Sequence, residues 1–169
     1  MSNTSPMSNP RRLLLLLVPL VALFGVIATS SAAGAAASGG TTISLQDVTG
    51  STAVCNDTVV TVTSGVLKIV THETLTPSGA YHLSVEANAQ GVHAVAPTGA
   101  AYQLPGGFHI EMNATPGATT QTEVDIFHAI GQGSAPNFTV RGVVHTTIDA
   151  NGNVTALVDH FTATGNCTP

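Results

Sequence analysis

The chain has 169 residues, enough for one ordinary domain, and only 8% of them are charged. Two of its four basic residues are Arg11 and Arg12, so the chain beyond residue 37 has two basic and nine acidic residues, a formal charge of −7 with neutral histidines. This balance argues against binding to nucleic acid or to an anionic membrane surface, because both depend on clustered Lys and Arg.

The first segment has the organisation of an export signal. Arg11 and Arg12 precede an apolar run over residues 13–28, and small residues follow with Ala-x-Ala-like cleavage sites that end between residues 33 and 37. The run is shorter than the roughly 20 apolar residues of a spanning helix. We therefore predict a signal peptide over residues 1–37 and a secreted protein with no stable membrane anchor after cleavage. The alternative is an uncleaved N-terminal anchor.

Cys55 and Cys167 are the only cysteines, and an even number in an exported chain predicts a disulfide. They bracket nearly the whole of the exported sequence, and closing a loop of this length stabilises the folded state by about 4–5 kcal/mol if chain entropy is the cause. The alternative is a pair of buried free thiols. Two cysteines without a histidine pair at zinc spacing do not predict a metal site, and no cofactor is expected.

From residue 42 onward the sequence predicts β-strands. Thr and Val dominate, apolar and polar residues alternate, and turn residues recur at short intervals. The short connections leave no room for parallel crossovers, so we predict an all-β fold, an antiparallel meander of eight to ten strands. A small closed barrel is favoured over a β-sandwich, because a Cys55–Cys167 disulfide would join the neighbouring first and last strands of a closed meander. Residues 38–53 would form a lead-in and the first strand, and residues 54–169 the β-barrel domain.

The strongest turn signal, Asn151-Gly152, is typical of a two-residue hairpin and predicts the two faces of the C-terminal half. It sets His145 opposite Val158 and Val144 opposite Asp159. The predicted core face carries Phe108, Ile110, Met112, Val124, Ile126, Val140, Val144, Ile148, Leu157 and Phe161. The predicted solvent face carries His109, Glu111, Asn113, Glu123, Asp125, Arg141, His145 and His160.

Polar residues predicted on the core face are candidates for a ligand site. His128 and Asp159 fall there by this register, Glu73 joins them if its apolar neighbours on the same strand point inward, and Tyr81 and Tyr102 would lie near. Buried ionisable groups need partners, and in a small barrel they indicate an interior pocket. The alternative is that these positions lie at the rims, where water enters.

A second candidate combines the H-x-E pair of His109 and Glu111 with the E-x-D pair of Glu123 and Asp125. If the hairpin pairs His109 with Asp125, these four side chains could hold a divalent cation. The simpler interpretation is an exposed cluster of charged side chains, which is common and contributes little to stability.

Two stretches carry a resemblance to a group of proteins. One runs from Val66-Leu67-Lys68-Ile69-Val70-Thr71-His72 through Gln90-Gly91 and Ala101-Tyr102-Gln103. The other is Val144-His145-Thr146-Thr147-Ile148-Asp149-Ala150-Asn151-Gly152-Asn153-Val154, followed by Asp159-His160-Phe161 and a terminal cysteine. In their sequence pattern they resemble small secreted proteins of high-GC bacteria such as actinobacteria. The predicted order of strands is more distantly similar to lipocalin-like and allene-oxide-cyclase-like barrels. The resemblance implies neither an activity nor site residues.

No motif of a known catalytic or phosphate-binding site occurs in the sequence. We therefore expect a non-enzymatic secreted β-barrel that binds a small, partly apolar ligand or acts as an extracellular interaction module. One alternative is a cyclase- or isomerase-like enzyme that uses a buried carboxylate–histidine pair, and another is a purely structural cell-envelope protein. The predicted ligand-binding residues are His128, Asp159, Glu73, Tyr81 and Tyr102.

Overall fold

The computed structural model describes residues 38–55 and 58–165, all of which belong to one compact unit, Ser31–Pro169. These residues form antiparallel strands and no helix, so the all-β prediction of eight to ten strands is confirmed. The predicted signal peptide, residues 1–37, lies outside the described residues. The strands are β1 (Ser38–Asp47), β2 (Thr52–Cys55), β3 (Thr58–Leu75), β4 (Tyr81–Val95), β5 (Ala101–Gln103), β6 (Gly106–Thr115), β7 (Ala118–Gly131), β8 (Phe138–Asp149) and β9 (Val154–Gly165).

The nine strands form a single sheet in which they occupy seven positions. β1 and β2 pair with successive parts of β3 and share the first position. β5 and β6 likewise share the position between β4 and β7, after which β8 and β9 follow in order. Within the described residues the hydrogen-bonded ladder begins at β1 and β2 and ends at β9. The predicted closed barrel is therefore not confirmed, although β2 approaches β8 and β9.

The hairpin of β8 and β9 has the predicted register over most of its length. His145 pairs with Val158 and Val144 with Asp159, and the pairing shifts by one residue only next to the turn. Asp149 holds this turn, because its Oδ1 atom accepts hydrogen bonds from the backbone N–H groups of Asn151 and Asn153, each at 2.9 Å.

The core consists of two clusters. In one, the rings of Tyr102 and Phe138 meet edge to face with centroids 5.6 Å apart. Cys55 is fully buried there, at the end of β2, while its predicted partner Cys167 lies outside the described residues, so the disulfide stays a prediction. The first cluster comprises Cys55, Val60, Val62, Val92, Ala94, Ala96, Tyr102, Leu104, Ala129 and Phe138. The second comprises Leu83, Val85, Ile110 and Met112.

Both clusters lie on the same face of the sheet. Ile110 pairs with Glu123, and alternate residues of β7 then lead along that face from Glu123 to Ala129, which pairs with Phe138. We call this the core face and the opposite one the outer face.

Candidate functional site

The turn between β6 and β7 determines where the charged residues of these two strands lie. The Pro116-Gly117 turn has two residues, because the residues on either side of it pair directly with one another. Counting outward from this turn pairs His109 with Val124. The cation-site hypothesis required His109 opposite Asp125.

This difference of one residue moves every side chain of β7 to the other face. Glu123 and Asp125 lie on the core face, opposite Ile110 and Phe108, and Val124 and Ile126 lie on the outer face. The prediction that placed these two acids on the solvent face and these two aliphatic residues in the core is therefore wrong.

The same register rules out the four-residue cation site. His109 and Glu111 are on the outer face, with His109 Nε2 3.1 Å from Glu111 Oε1, whereas the acids of β7 are on the core face. In the part of the chain that the structure describes, no group of three or more His, Cys, Asp and Glu side chains is arranged to hold a metal ion.

Glu123 and Asp125 form a half-buried pair surrounded by apolar groups. Glu123 stands between Ile110 on β6 and Val144 on β8. Asp125 lies next to Gly142, which is buried because the ring of Phe161 and the Asp125 carboxylate cover it. A Cβ atom at Gly142 would lie 2.8 Å from Asp125 Oδ2. Because Gly142 has no side chain, the Phe161 ring and the Asp125 carboxylate occupy the space above it.

Their surroundings change how the two carboxyl groups titrate. Burial raises the pKa of Glu123 to about 7, and the negative charge of Asp125 and a hydrogen bond between the two side chains act in the same direction. Burial also raises the pKa of Asp125, although the hydrogen bond with Glu123 opposes this effect. A hydrogen bond between two carboxyl groups requires one proton, and these directions place that proton on Glu123. Near neutral pH, Glu123 is therefore divided between its protonated and ionised forms.

Four of the five predicted ligand-binding residues lie on the core face: Tyr102, which is part of the first core cluster, and Glu73, Tyr81 and Asp159. Glu73 and Tyr81 form a pair in which the Tyr81 hydroxyl donates a hydrogen bond to the Glu73 carboxylate. Burial first, and then the negative charge of Glu73, raises the pKa of Tyr81. Asp159 lies opposite Val144, on the other side of that residue from Glu123. Asp159 and Glu73 are exposed and Tyr81 is half-buried.

His128 is not on the core face, and its predicted placement there is wrong for the same reason as that of Ile126. It is exposed on the outer face, with its Nδ1 atom 3.0 Å from Thr139 Oγ1. Because His128 and Asp159 project from opposite faces, they do not form the buried carboxylate–histidine pair on which the enzyme alternative depended.

Tyr102 belongs to the first core cluster rather than to the acidic region. Its side chain is 1% exposed, and its hydroxyl group has no hydrogen-bond partner among the described residues. The ring is held by apolar contacts, including the edge-to-face contact with Phe138.

The register places the basic side chains of the described strands on one face only. Within the described residues, the core face carries the acids Glu73, Glu123, Asp125 and Asp159 and no basic side chain. The sequence analysis missed this acidic group, and the signal that could have found it is the two-residue length of the Pro116-Gly117 turn. The basic and histidine side chains of residues 38–55 and 58–165 lie on the outer face: Lys68, His72, His82, His93, His109, His128, Arg141, His145 and His160.

In comparison with known proteins, no family model, no curated protein and no solved structure matches this chain. Residues 38–55 and 58–165 include no helix of the length and apolar character needed to span a membrane.

Proposed function

We propose that the protein is a secreted, non-enzymatic β-protein whose core face binds a small, partly apolar ligand that carries a cationic group, such as an alkylamine. The observation that supports this proposal most strongly is the presence of four acidic side chains, and no basic one, on the core face of the described sheet. The ligand would lie against Glu123 and Asp125.

The surroundings of these two acids favour an amphiphilic cation over other ligands. An ionised carboxylate in apolar surroundings is unfavourable unless a positive charge lies close to it, and the core face of the described strands supplies none. A bound ammonium group would provide this charge, while Phe108, Ile110 and Phe161 would contact the apolar part of the ligand. An anionic ligand would be repelled, and a neutral one would leave the carboxyl pair without a counter-charge.

Ligand binding of this kind would be coupled to proton release. A cation beside Glu123 lowers the pKa of that carboxyl group from about 7, so at neutral pH the pair would lose a proton as the ligand binds. Asp159, which lies on the other side of Val144 from Glu123, would contribute a further hydrogen bond at the edge of the ligand. The Glu73–Tyr81 pair shares the core face but lies on β3 and β4, three and two strand positions from β7.

We also propose that residues 1–37 are removed on export and that Cys55 and Cys167 form a disulfide. β2 ends at the buried Cys55 and approaches β8 and β9. A covalent bond at this end would join the first and last positions of the sheet and close it as a barrel.

Isothermal titration calorimetry with octylamine and octanoate tests the ligand proposal. Octylamine should bind at pH 7 with a heat that depends on the ionisation enthalpy of the buffer, which reports proton release, and octanoate should not bind. Glu123→Gln should remove the proton release, and Glu123→Gln combined with Asp125→Asn should weaken octylamine binding at least about tenfold, a loss of about 1.4 kcal/mol.

Glu86→Gln is the matched control, because Glu86 is an exposed carboxylate on the outer face, and this variant should bind octylamine as the unaltered protein does. Equal binding of octanoate and octylamine, or equal losses in the control and in the double variant, would contradict the proposal.

One observation also supports the enzyme alternative in a changed form. A group whose pKa lies near 7, as that of Glu123 does, is suited to transfer a proton at neutral pH, so the carboxyl pair could replace the unassembled carboxylate–histidine pair in a cyclase or isomerase. Mass spectrometry of the molecule recovered from the protein distinguishes the two functions, since a bound ligand is returned unchanged whereas a substrate is returned as its product.

A further inference from the structure

We infer that the outer face of β7, β8 and β9 docks on an anionic lipid bilayer at mildly acidic pH. This surface, the β7–β9 patch, combines exposed aliphatic and basic side chains. Ile126, Ile130 and Val158 are 38%, 41% and 52% exposed, and the three basic residues are also exposed. The patch consists of Ile126, His128, Ile130, Arg141, Val158 and His160.

The register makes these residues neighbours. Ile126, His128 and Ile130 alternate along the outer face of β7, and Arg141 lies directly opposite Ile126. Arg141 and His145 flank Val143 on the outer face of β8, and the partners of Val143 and His145 on β9 are His160 and Val158. The patch is thus continuous across three adjacent strands.

Few carboxylates face this surface. Of the residues on the outer face of β7, β8 and β9, the single acid is Asp149, at the turn end of β8, and Asn151 and Asn153 hold its carboxylate. On the adjacent β6 the nearest acid is Glu111, which lies 3.1 Å from the ring of His109 and 3.5 Å from that of His82. The other titratable group beside the patch is His145, whose ring contacts Thr122 Oγ1 at 2.8 Å.

Acidification makes the patch strongly cationic. Histidine is the side chain whose charge ordinarily changes between pH 5 and pH 8. Arg141 alone carries a positive charge when the histidines are neutral, and protonation of His128 and His160 raises the charge of the patch from one to three. The net charge of −7 argued against an anionic membrane surface, but the register places four of the acids on the core face, away from this patch.

The exposed aliphatic side chains favour a bilayer over a soluble polyanion. A bilayer interface accommodates apolar side chains below the anionic headgroups that attract the basic ones, whereas a hydrophilic polymer leaves Ile126, Ile130 and Val158 in contact with water. Next to His128 the surface has an open depression, whose lining includes Ile130 and Thr139. The patch therefore offers both an apolar surface and positive charge.

Co-sedimentation with lipid vesicles at pH 7.5 and pH 5.0 tests the inference. The probes are vesicles of phosphatidylglycerol and phosphatidylcholine in equal amounts, and vesicles of phosphatidylcholine alone. Each added cation near an anionic bilayer increases the partition coefficient by about fivefold, so protonating two histidines should increase binding to the anionic vesicles by about twenty-five-fold. Binding to phosphatidylcholine alone should not change with pH, and 0.5 M salt, a concentration chosen to screen the charges, should weaken binding to the anionic vesicles.

The double variant His128→Gln/His160→Gln should lose this increase, and Ile126→Thr should weaken binding at pH 5.0. His72→Gln/His93→Gln is the matched control, since both residues are exposed on the outer face but belong to β3 and β4; it should keep the full increase. Circular dichroism establishes that each variant is folded. The inference is overturned if the protein does not bind anionic vesicles at pH 5.0, if the control loses as much as the patch variant, or if sedimentation velocity without vesicles shows that the patch pairs with a second copy instead.

Discussion

The carboxyl group of Glu123 stands between Ile110 and Val144, and its pKa of about 7 compares with an ordinary value of 4.5. Between these two values the folded state holds a proton that the unfolded state releases. The free energy of unfolding therefore falls as the pH rises from about 4.5 to about 7. The full shift corresponds to roughly 3 kcal/mol, and solvent around the half-exposed group reduces this to about 1–2 kcal/mol.

Glu123→Gln should remove this pH dependence. Between pH 5 and pH 8, we expect the unaltered protein to lose about 1–2 kcal/mol of stability relative to the variant, measured by urea denaturation at each pH. Glu86→Gln, on the exposed outer face, should follow the unaltered protein throughout. Parallel pH profiles of Glu123→Gln and the unaltered protein would show that another group binds the proton.

At the scale of single elements, the Pro116-Gly117 and Asn151-Gly152 turns differ in what they require of their glycine. The first has two residues, whereas the Asp149 N–H donates a hydrogen bond to the Asn153 carbonyl across the second, which leaves three residues, 150–152, in that turn. Gly152 has a φ of 82°, a conformation that costs a residue with a Cβ atom about 1–2 kcal/mol. Gly117 is not in this region, and a Cβ atom there would have no neighbour within 4 Å. Gly152→Ala should therefore lower the free energy of unfolding by about 1 kcal/mol, whereas Gly117→Ala should change it by less than about 0.5 kcal/mol. Urea denaturation of both variants tests this, and equal effects would contradict the assigned backbone conformations.

The same two hairpins explain how much of the candidate site could be predicted. Asn151-Gly152 is a distinctive signal, so the register of β8 and β9 and the core-face position of Asp159 were predicted correctly. In β7, Val124 and Ile126 alternate with Glu123 and Asp125, and of these four residues the aliphatic Ile126 is exposed whereas both acids are half-buried. Hydrophobic alternation shows that such a strand has two faces, but the turn length decides which face meets the core. The acidic pair was missed because the Pro116-Gly117 turn was not used to set the register.

At the scale of the whole molecule, the strand count was predictable and the closure of the sheet was not. Turn residues mark the ends of strands locally, which gave the range of eight to ten. Closure depends on the tilt and stagger accumulated over all strand positions, and β1 and β2 share one position, as do β5 and β6. No local sequence pattern predicts that β1 and β2 lie end to end along β3, or that β5 and β6 lie end to end along β4.

The predicted disulfide would affect the closure of the sheet. β2 ends at Cys55 and approaches β9, which ends at Gly165, two residues before Cys167. The hydrogen-bonded ladder of the described residues does not join these two strands. A Cys55–Cys167 bond would therefore restrict the unfolded chain over a loop of about 100 residues, worth about 4–5 kcal/mol, and would join the first and last positions of the sheet covalently.

Reduction should accordingly lower the free energy of unfolding by about 4–5 kcal/mol, as measured by urea denaturation with and without dithiothreitol. The mass of the reduced chain should increase by two hydrogens. The double variant Cys55→Ala/Cys167→Ala is the control, because it should unfold as the reduced protein does and be insensitive to the reductant. Two thiols that react with a labelling reagent in the denatured, unreduced protein would contradict the disulfide.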